Sequence, residues 1–101
     1  MPIFMTASWT CKPGAESTVE GALREFVDAV RENEPDTRIY VALQSSEDPR
    51  SFLTYFIFEN EEAQVFHRGT DWVKRFTETI YPENVGDVTF TEYQMIASTQ
   101  E

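Results

Sequence analysis

The stretch Phe52–His67, with the sequence FLTYFIFENEEAQVFH, decides the fold of this 101-residue chain. Its first half reads as a β-strand in which apolar side chains occupy both faces. One face carries Phe52, Phe56 and Phe58, and the other carries Leu53, Tyr55 and Ile57. A strand with one face in water alternates apolar and polar residues, and this strand does not. Both of its faces must therefore be covered in the folded protein.

The second half of the stretch predicts a helix that carries the only histidine of the chain. Asn60 is a favoured N-cap residue, and two glutamates follow in the first turn, where the helix dipole favours acids. We expect Ala63, Phe66 and His67 to face inward. A glycine then interrupts the pattern, and a further helical segment is predicted over Asp71–Thr79.

The elements predicted on either side complete the order β-α-β-β-α-β. The predicted strands are Ile3–Cys11, Thr37–Gln44, Ser51–Phe58 and Val85–Ala97. A long amphipathic helix separates the first two strands. Ser17 with Glu20 is a candidate capping box at its start, and the alternative is that the helix begins a turn earlier, at Gly14. Its apolar stripe consists of Val19, Ala22, Leu23, Phe26, Val27 and Val30.

This order is that of the ferredoxin-like fold, an α+β fold in which an antiparallel four-stranded sheet carries both helices on one face. A chain of this length is expected to form one such domain over residues 1–101. Because the helices cover one face only, strands that are apolar on both sides leave a broad apolar surface exposed in a monomer. Pairing two such surfaces across a two-fold axis buries them, so we expect a homodimer whose two sheets form a barrel.

The net charge of the chain excludes some classes of binding partner. With 18 acidic against 8 basic residues, the net charge is −10. Nucleic-acid binding needs a basic surface, and anionic membranes repel an acidic protein, so we expect neither partner. Cys11 is the only cysteine, which excludes an intrachain disulfide and fits a reducing compartment. The chain shows no signal-peptide pattern and no run of roughly 20 apolar residues, so we expect a cytoplasmic location.

Several short motifs occur along the chain in a distinctive order. The segment Trp9–Gly14 (WTCKPG) precedes the long helix, and Glu34-Pro35 follows it. The segment Phe58–Ala63 (FENEEA) then leads to His67. In this order and spacing the chain resembles the antibiotic biosynthesis monooxygenase domain over nearly its whole length.

The resemblance implies a dimeric α+β barrel with one of two activities. One is cofactor-independent oxygenation of phenolic or quinol-type aromatics, and another, in some branches, is haem binding and degradation. Haem-degrading relatives carry an Asn on the first strand, where this chain has Ala7, and the family often has a Trp at the end of the third strand, where this chain has Phe58. These departures argue against haem degradation. Oxygenation of a phenol or quinol is the leading hypothesis, and the alternative is a non-catalytic dimer of the same fold that binds a small ligand or is purely structural.

Candidate site residues follow from side-chain chemistry. Histidine ordinarily titrates near neutral pH, so His67 is the candidate catalytic base that takes a phenolic proton. Aromatic side chains suit a flat aromatic ligand, although each has an alternative place in a filled core or in the dimer interface. The candidate substrate-binding residues are Trp9, Tyr40, Phe56, Phe58, Phe66 and Trp72. One histidine, one cysteine and scattered acids show no metal-ligand spacing, so we expect no metal and no cofactor.

Four basic residues are candidate contacts for an anion: Arg38, Arg68, Lys74 and Arg75. In so acidic a chain, their alternative role is to offset local negative charge.

The enzymatic and non-catalytic hypotheses differ in one structural feature, the space beneath His67. An enclosed apolar space that reaches His67 favours an enzyme. A layer packed solid by Phe56, Phe58 and Trp72 favours the non-catalytic alternative.

Overall fold

A computed structural model describes residues 1–100 and confirms the predicted ferredoxin-like architecture. The strands are β1 (Ile3–Cys11), β2 (Thr37–Gln44), β3 (Ser51–Phe58) and β4 (Asn84–Tyr93). The helices are α1 (Glu16–Asn33), α2 (Glu61–Arg68) and α3 (Asp71–Ile80), and a single 3₁₀ turn covers Tyr81–Glu83. Within the described residues, no helix is long and apolar enough to span a membrane.

The four strands form one antiparallel sheet in the order β2-β3-β1-β4. The register places Trp9 opposite Phe52 and Ala7 opposite Thr54, and all four side chains are buried. Because side chains alternate along a strand, these positions define the face that the helices cover. Phe56 and Phe58 lie on this same face, as the alternation within β3 predicts.

The start of α1 differs from the predicted capping box. The N-cap is Ala15, which offers no side-chain hydrogen bond, and Ser17 lies inside the first turn. Gly14 adopts a positive φ of 89°, a conformation that glycine reaches without strain. This turn is closed by the Ala15 N–H, which donates to the Lys12 carbonyl at 3.0 Å, so the helix begins earlier than a cap at Ser17 would allow.

The apolar stripe of α1 packs on the covered face of the sheet. Val19, Leu23, Phe26 and Val30 are all buried. Burial of an aliphatic or aromatic side chain contributes about 1.5–3 kcal/mol, so this stripe supplies roughly 6–12 kcal/mol as an upper value. The sheet and α1 therefore form a stable two-layer core against which the shorter helices pack.

Two further sequence predictions are wrong in detail. Strand β4 ends at Tyr93 rather than Ala97, because residues 94–100 do not pair with β1. Phe66 is 55% exposed instead of facing inward. In α2 the buried positions are Ala63 and His67, four residues apart, and Phe66 is turned about 100° from His67 around the helix.

The opposite face of the sheet carries no helix in the described part of the chain, and much of it is apolar. Leu53 is exposed, Tyr55 is half-buried, and Ile57 is buried within the single chain. Other large apolar side chains on this face are exposed, namely Ile39, Val41, Leu43, Val85 and Tyr93.

Candidate functional site

A cavity of about 410 Å³ lies between the covered face of the sheet and the helices, and it reaches His67. This volume is within the range of small-molecule pockets. Three of the lining residues, Arg68, Tyr81 and Phe90, are exposed and mark where the cavity meets solvent. The deeper wall is mainly apolar and aromatic, and includes Ala7, Trp9, Phe26, Tyr40, Phe56 and Phe58.

His67 lies at the inner wall of the cavity, near the end of α2, and is 7% exposed. Four aromatic rings surround its imidazole, with centroid distances of 5.1 Å to Phe58, 5.8 Å to Phe26 and to Tyr40, and 6.2 Å to Phe56. These rings pack around the imidazole and restrict its rotation.

The carboxylate of Glu34 holds the imidazole from behind. Nδ1 of His67 lies 2.8 Å from Oε1 and 3.0 Å from Oε2 of Glu34. Glu34 is 3% exposed and accepts two further hydrogen bonds, from Trp72 Nε1 at 2.5 Å and from Thr37 Oγ1 at 2.7 Å. A buried carboxylate with three donors around it is fully satisfied, which is the condition for burying such a charge.

The sequence places Glu34 there through the geometry of α1. It is the C-cap residue of that helix, four positions after Val30, so it continues the buried apolar stripe. Its backbone N–H donates to the Val30 carbonyl at 2.9 Å. Pro35 disfavours a helical residue in front of it and ends the helix at this point. The acid is thereby directed into the interior beside the start of β2.

The break between α2 and α3 brings two side chains to the same carboxylate. On one continuous helix, residues five apart, such as His67 and Trp72, are turned about 140° from each other. Here Gly69 ends α2, and Thr70 caps α3 by accepting a hydrogen bond from the Val73 N–H. This change of direction lets both residues reach Glu34.

The protonation of Glu34 follows from these contacts. Burial raises the pKa of its carboxyl, but hydrogen bonds from His67, Trp72 and Thr37 outweigh burial and hold the pKa below its ordinary value of 4.5. Glu34 is therefore an anion at neutral pH. An anion accepts hydrogen bonds and cannot donate them, so the shared proton resides on Nδ1 of His67.

Tyr40 is a second titratable group in the cavity wall. Burial raises the pKa of its phenol, the negative charge of Glu34 adds to this, and the Thr54 hydroxyl opposes it. The ring stacks on Phe56 with a centroid distance of 4.7 Å. Tyr40 is therefore a neutral phenol at physiological pH and is suited to donate a hydrogen bond, not to act as a base.

A comparison with models of protein families shows to which family this chain belongs. The model described as antibiotic biosynthesis monooxygenase matches residues 2–79, from the start of β1 into the last turn of α3. The chain belongs to the antibiotic biosynthesis monooxygenase family. A search among curated proteins finds no match.

Solved structures share the fold of this family member at low sequence identity. One described as an antibiotic biosynthesis monooxygenase is 23% identical with a TM-score of 0.87, covering 94% of this chain and 99% of that chain. A Pseudomonas aeruginosa protein is 23% identical with a TM-score of 0.85, covering 95% of each chain. A Mycobacterium tuberculosis protein is 17% identical with a TM-score of 0.88, covering 99% of this chain and 100% of that chain. At these identities, the similarity establishes a common fold.

Five of the seven predicted site residues of this monooxygenase-family chain line the cavity: His67, Trp9, Tyr40, Phe56 and Phe58. The structure does not bring the other two there. Trp72 lies behind His67 and donates to Glu34, so it positions the imidazole instead of lining the cavity. Phe66 lies in a shallow surface groove beside Pro35.

Glu34 is the site residue that the sequence analysis missed. In the sequence, Glu34 stands out only as part of the Glu34-Pro35 motif at the end of the helix. One signal was present, since an acid four residues after Val30 continues a buried stripe and needs a partner there. The partner lies 33 residues away, and no periodic pattern connects the two positions.

Proposed function

We propose that this family member is a monooxygenase that oxidises an aromatic phenol or quinol without a bound cofactor, with His67 as the catalytic base. The observation that supports this most is the position of His67 between Glu34 and the cavity. Nδ1 is turned to Glu34, which does not line the cavity. The opposite edge of the ring, with Nε2, is therefore the edge available to a ligand.

The Glu34–His67 pair favours transfer of a proton from the substrate to Nε2 of His67. In the neutral form of His67 that carries its proton on Nδ1, the unprotonated Nε2 is a hydrogen-bond acceptor. When Nε2 takes the phenolic proton of a substrate, the imidazolium lies between two anions, the Glu34 carboxylate and the new phenolate. Glu34 thus orients the base and stabilises its charged form, as a carboxylate does behind a catalytic histidine.

The oxidation itself draws its electrons from the substrate. The phenolate gives one electron to O₂, and the resulting superoxide and substrate radical combine to form a carbon–oxygen bond. In an anthrone, a CH₂ group lies opposite the carbonyl carbon in the central ring. The new carbon–oxygen bond forms at this CH₂ carbon, and the His67 imidazolium returns its proton to the peroxide anion to give a hydroperoxide. Loss of water leaves a carbonyl, so one oxygen atom enters the quinone product and the other leaves in water. An apolar cavity assists because it leaves the phenolate weakly solvated and reactive.

Oxygen consumption tests this proposal. Wild-type protein is incubated with anthrone and with quinols, and O₂ uptake above the uncatalysed rate is followed with an oxygen electrode. General-base catalysis contributes about 10²–10⁴-fold, so His67→Ala should lower kcat by that factor. Val65→Ala, at an exposed neighbouring position of α2 that does not line the cavity, serves as the matched control and should keep its activity.

Equal rates for His67→Ala and wild type would remove His67 from the mechanism. Aromatic ligands that bind in the cavity without any O₂ uptake would instead support a non-catalytic ligand-binding protein.

We also propose that the uncovered face of the sheet pairs with a second copy of the chain. Its exposed apolar side chains, such as Val41 and Leu53, lie on neighbouring strands and form one continuous surface. A two-fold axis through this surface brings the same apolar residues together from both copies, which removes them from water. The proposed dimer leaves each cavity free, because the cavities lie on the helix-covered faces.

A further inference from the structure

The charge of the cavity lining differs from that of the whole chain. The chain has 18 acidic residues, yet among the described residues no Asp or Glu lines the cavity. The lining contains one arginine, Arg68, together with His67. Since the protein carries a net charge of −10, this local exclusion of acids favours a ligand that is itself negative.

Arg68 differs from two of the other three candidate anion contacts in having no ion pair, and from Lys74, which is also unpaired among the described residues, in lining the cavity. Arg38 is paired with Glu59, and Arg75 lies 3.7 Å from Glu25. Arg68 forms no ion pair and donates no side-chain hydrogen bond within the described residues, and it is exposed at the mouth of the cavity. Arg68 lies in the last turn of α2, where the helix dipole favours a cation. The interaction with the dipole uses none of the hydrogen-bond donors of the guanidinium.

The two ends of the cavity therefore have different electrostatic properties. Glu34 lies behind His67 at the inner wall, and its negative charge disfavours a permanent anion close to the imidazole. Arg68 at the mouth offers a planar guanidinium that matches the geometry of a carboxylate. The lining also includes aromatic side chains such as Phe56 and Phe76, which are suited to contact flat rings.

We propose that the substrate is an aromatic carboxylate, with its ring system in the cavity, its phenolic hydroxyl at His67 and its carboxylate on Arg68. This inference rests on the proposed function for the role of the hydroxyl. The carboxylate contact is independent of turnover, because it concerns binding alone.

Binding of two matched probes tests the inference. 2-Naphthoate and 2-naphthamide have nearly the same shape and differ in charge, and their dissociation constants are measured by isothermal titration calorimetry in low-salt buffer at neutral pH. We expect wild type to bind the naphthoate about tenfold more tightly, the effect of one charge-assisted contact. Arg68→Gln should abolish this preference by weakening naphthoate alone.

Arg75→Gln is the matched control, since Arg75 is also a surface arginine on a neighbouring helix but does not line the cavity. It should keep the full preference for naphthoate. Equal affinity of wild type for both probes, a preference that survives in Arg68→Gln, or failure of both probes to bind would overturn the inference. A naphthoate preference in a protein that consumes no O₂ with any quinol or anthrone would leave the carboxylate contact standing and refute the oxygenase proposal instead.

Discussion

Replacement of Glu34 by glutamine is the perturbation whose effect is best defined by the structure. The carboxylate accepts from His67, Trp72 and Thr37 inside the protein. The amide of Glu34→Gln keeps one acceptor oxygen and places an NH₂ group where the other oxygen was. The negative charge that strengthens all three hydrogen bonds is lost, and an NH₂ group at the place of Oε2 faces the Trp72 Nε1–H, which can only donate.

The expected loss of stability follows from these contacts. A hydrogen bond to a charged group contributes about 1.5–3 kcal/mol, so Glu34→Gln should lower the free energy of unfolding by about 2–3 kcal/mol. For a domain of this size, 1 kcal/mol changes Tm by about 4–8 °C, which gives a decrease of about 8–24 °C. Glu32→Gln changes an exposed acid on the same helix and should leave Tm close to that of wild type.

The pH dependence provides a second measurement. Because the pKa of Glu34 is lower in the folded protein than in the unfolded chain, the unfolded chain binds more protons between the two values. The stabilisation is therefore complete above the ordinary value of 4.5 and is lost as the pH falls through the lower, folded pKa. The stability difference between wild type and Glu34→Gln should shrink over that acidic range.

Urea and thermal unfolding, followed by circular dichroism at one fixed protein concentration, measure both quantities. A fixed concentration is needed because dimerisation would make Tm concentration-dependent. If Glu34→Gln is as stable as Glu32→Gln at neutral pH, or if its difference from wild type stays constant into strong acid, the proposed role of this carboxylate network is refuted.

Three further predictions concern the cavity, the open sheet face and the thiol. Ala7→Leu fills part of the cavity from β1 and should weaken 2-naphthoate binding about tenfold or more without lowering Tm; unchanged affinity would show that the ligand binds elsewhere. Leu53→Glu should convert the expected dimer to a monomer in size-exclusion chromatography with light scattering, whereas Lys74→Glu on α3 should not; a monomeric wild type would contradict the dimer proposal. Cys11 is fully buried and burial raises the pKa of its thiol, so a disulfide reagent should react with it only after unfolding, and rapid reaction with native protein would contradict this.

Much of the fold was predictable because it depends on local patterns. The alternation of side chains within Ile3–Cys11 and the β-branched and aromatic run of Ser51–Phe58 mark two strands at their observed bounds. The stripe of α1 and the Asn60 cap of α2 likewise depend on residues within a few positions of one another, and the Asn60 side chain accepts from the Ala63 N–H as expected. Steric and hydrogen-bonding preferences over such short distances are properties of the sequence itself.

The errors arose where one local preference competes with another. The strand pattern after Tyr93 continues beyond the point at which β1 offers a partner, so composition overstated the length of β4. Ser17 is a good capping residue, but the turn at Gly14 had already started the helix.

The sequence by itself determined the order of the elements, the double-sided apolar character of β3 and the identity of the one histidine. Only the tertiary structure decided that His67 is held by Glu34 and that Trp72 supports this carboxylate from outside the cavity. It also decided that Arg68 lies at the mouth without an ion-pair partner among residues 1–100. The physical reason is that these contacts join the end of α1 to the junction of α2 and α3. Their geometry depends on where each helix ends and how both pack on the sheet, which no single stretch of sequence contains.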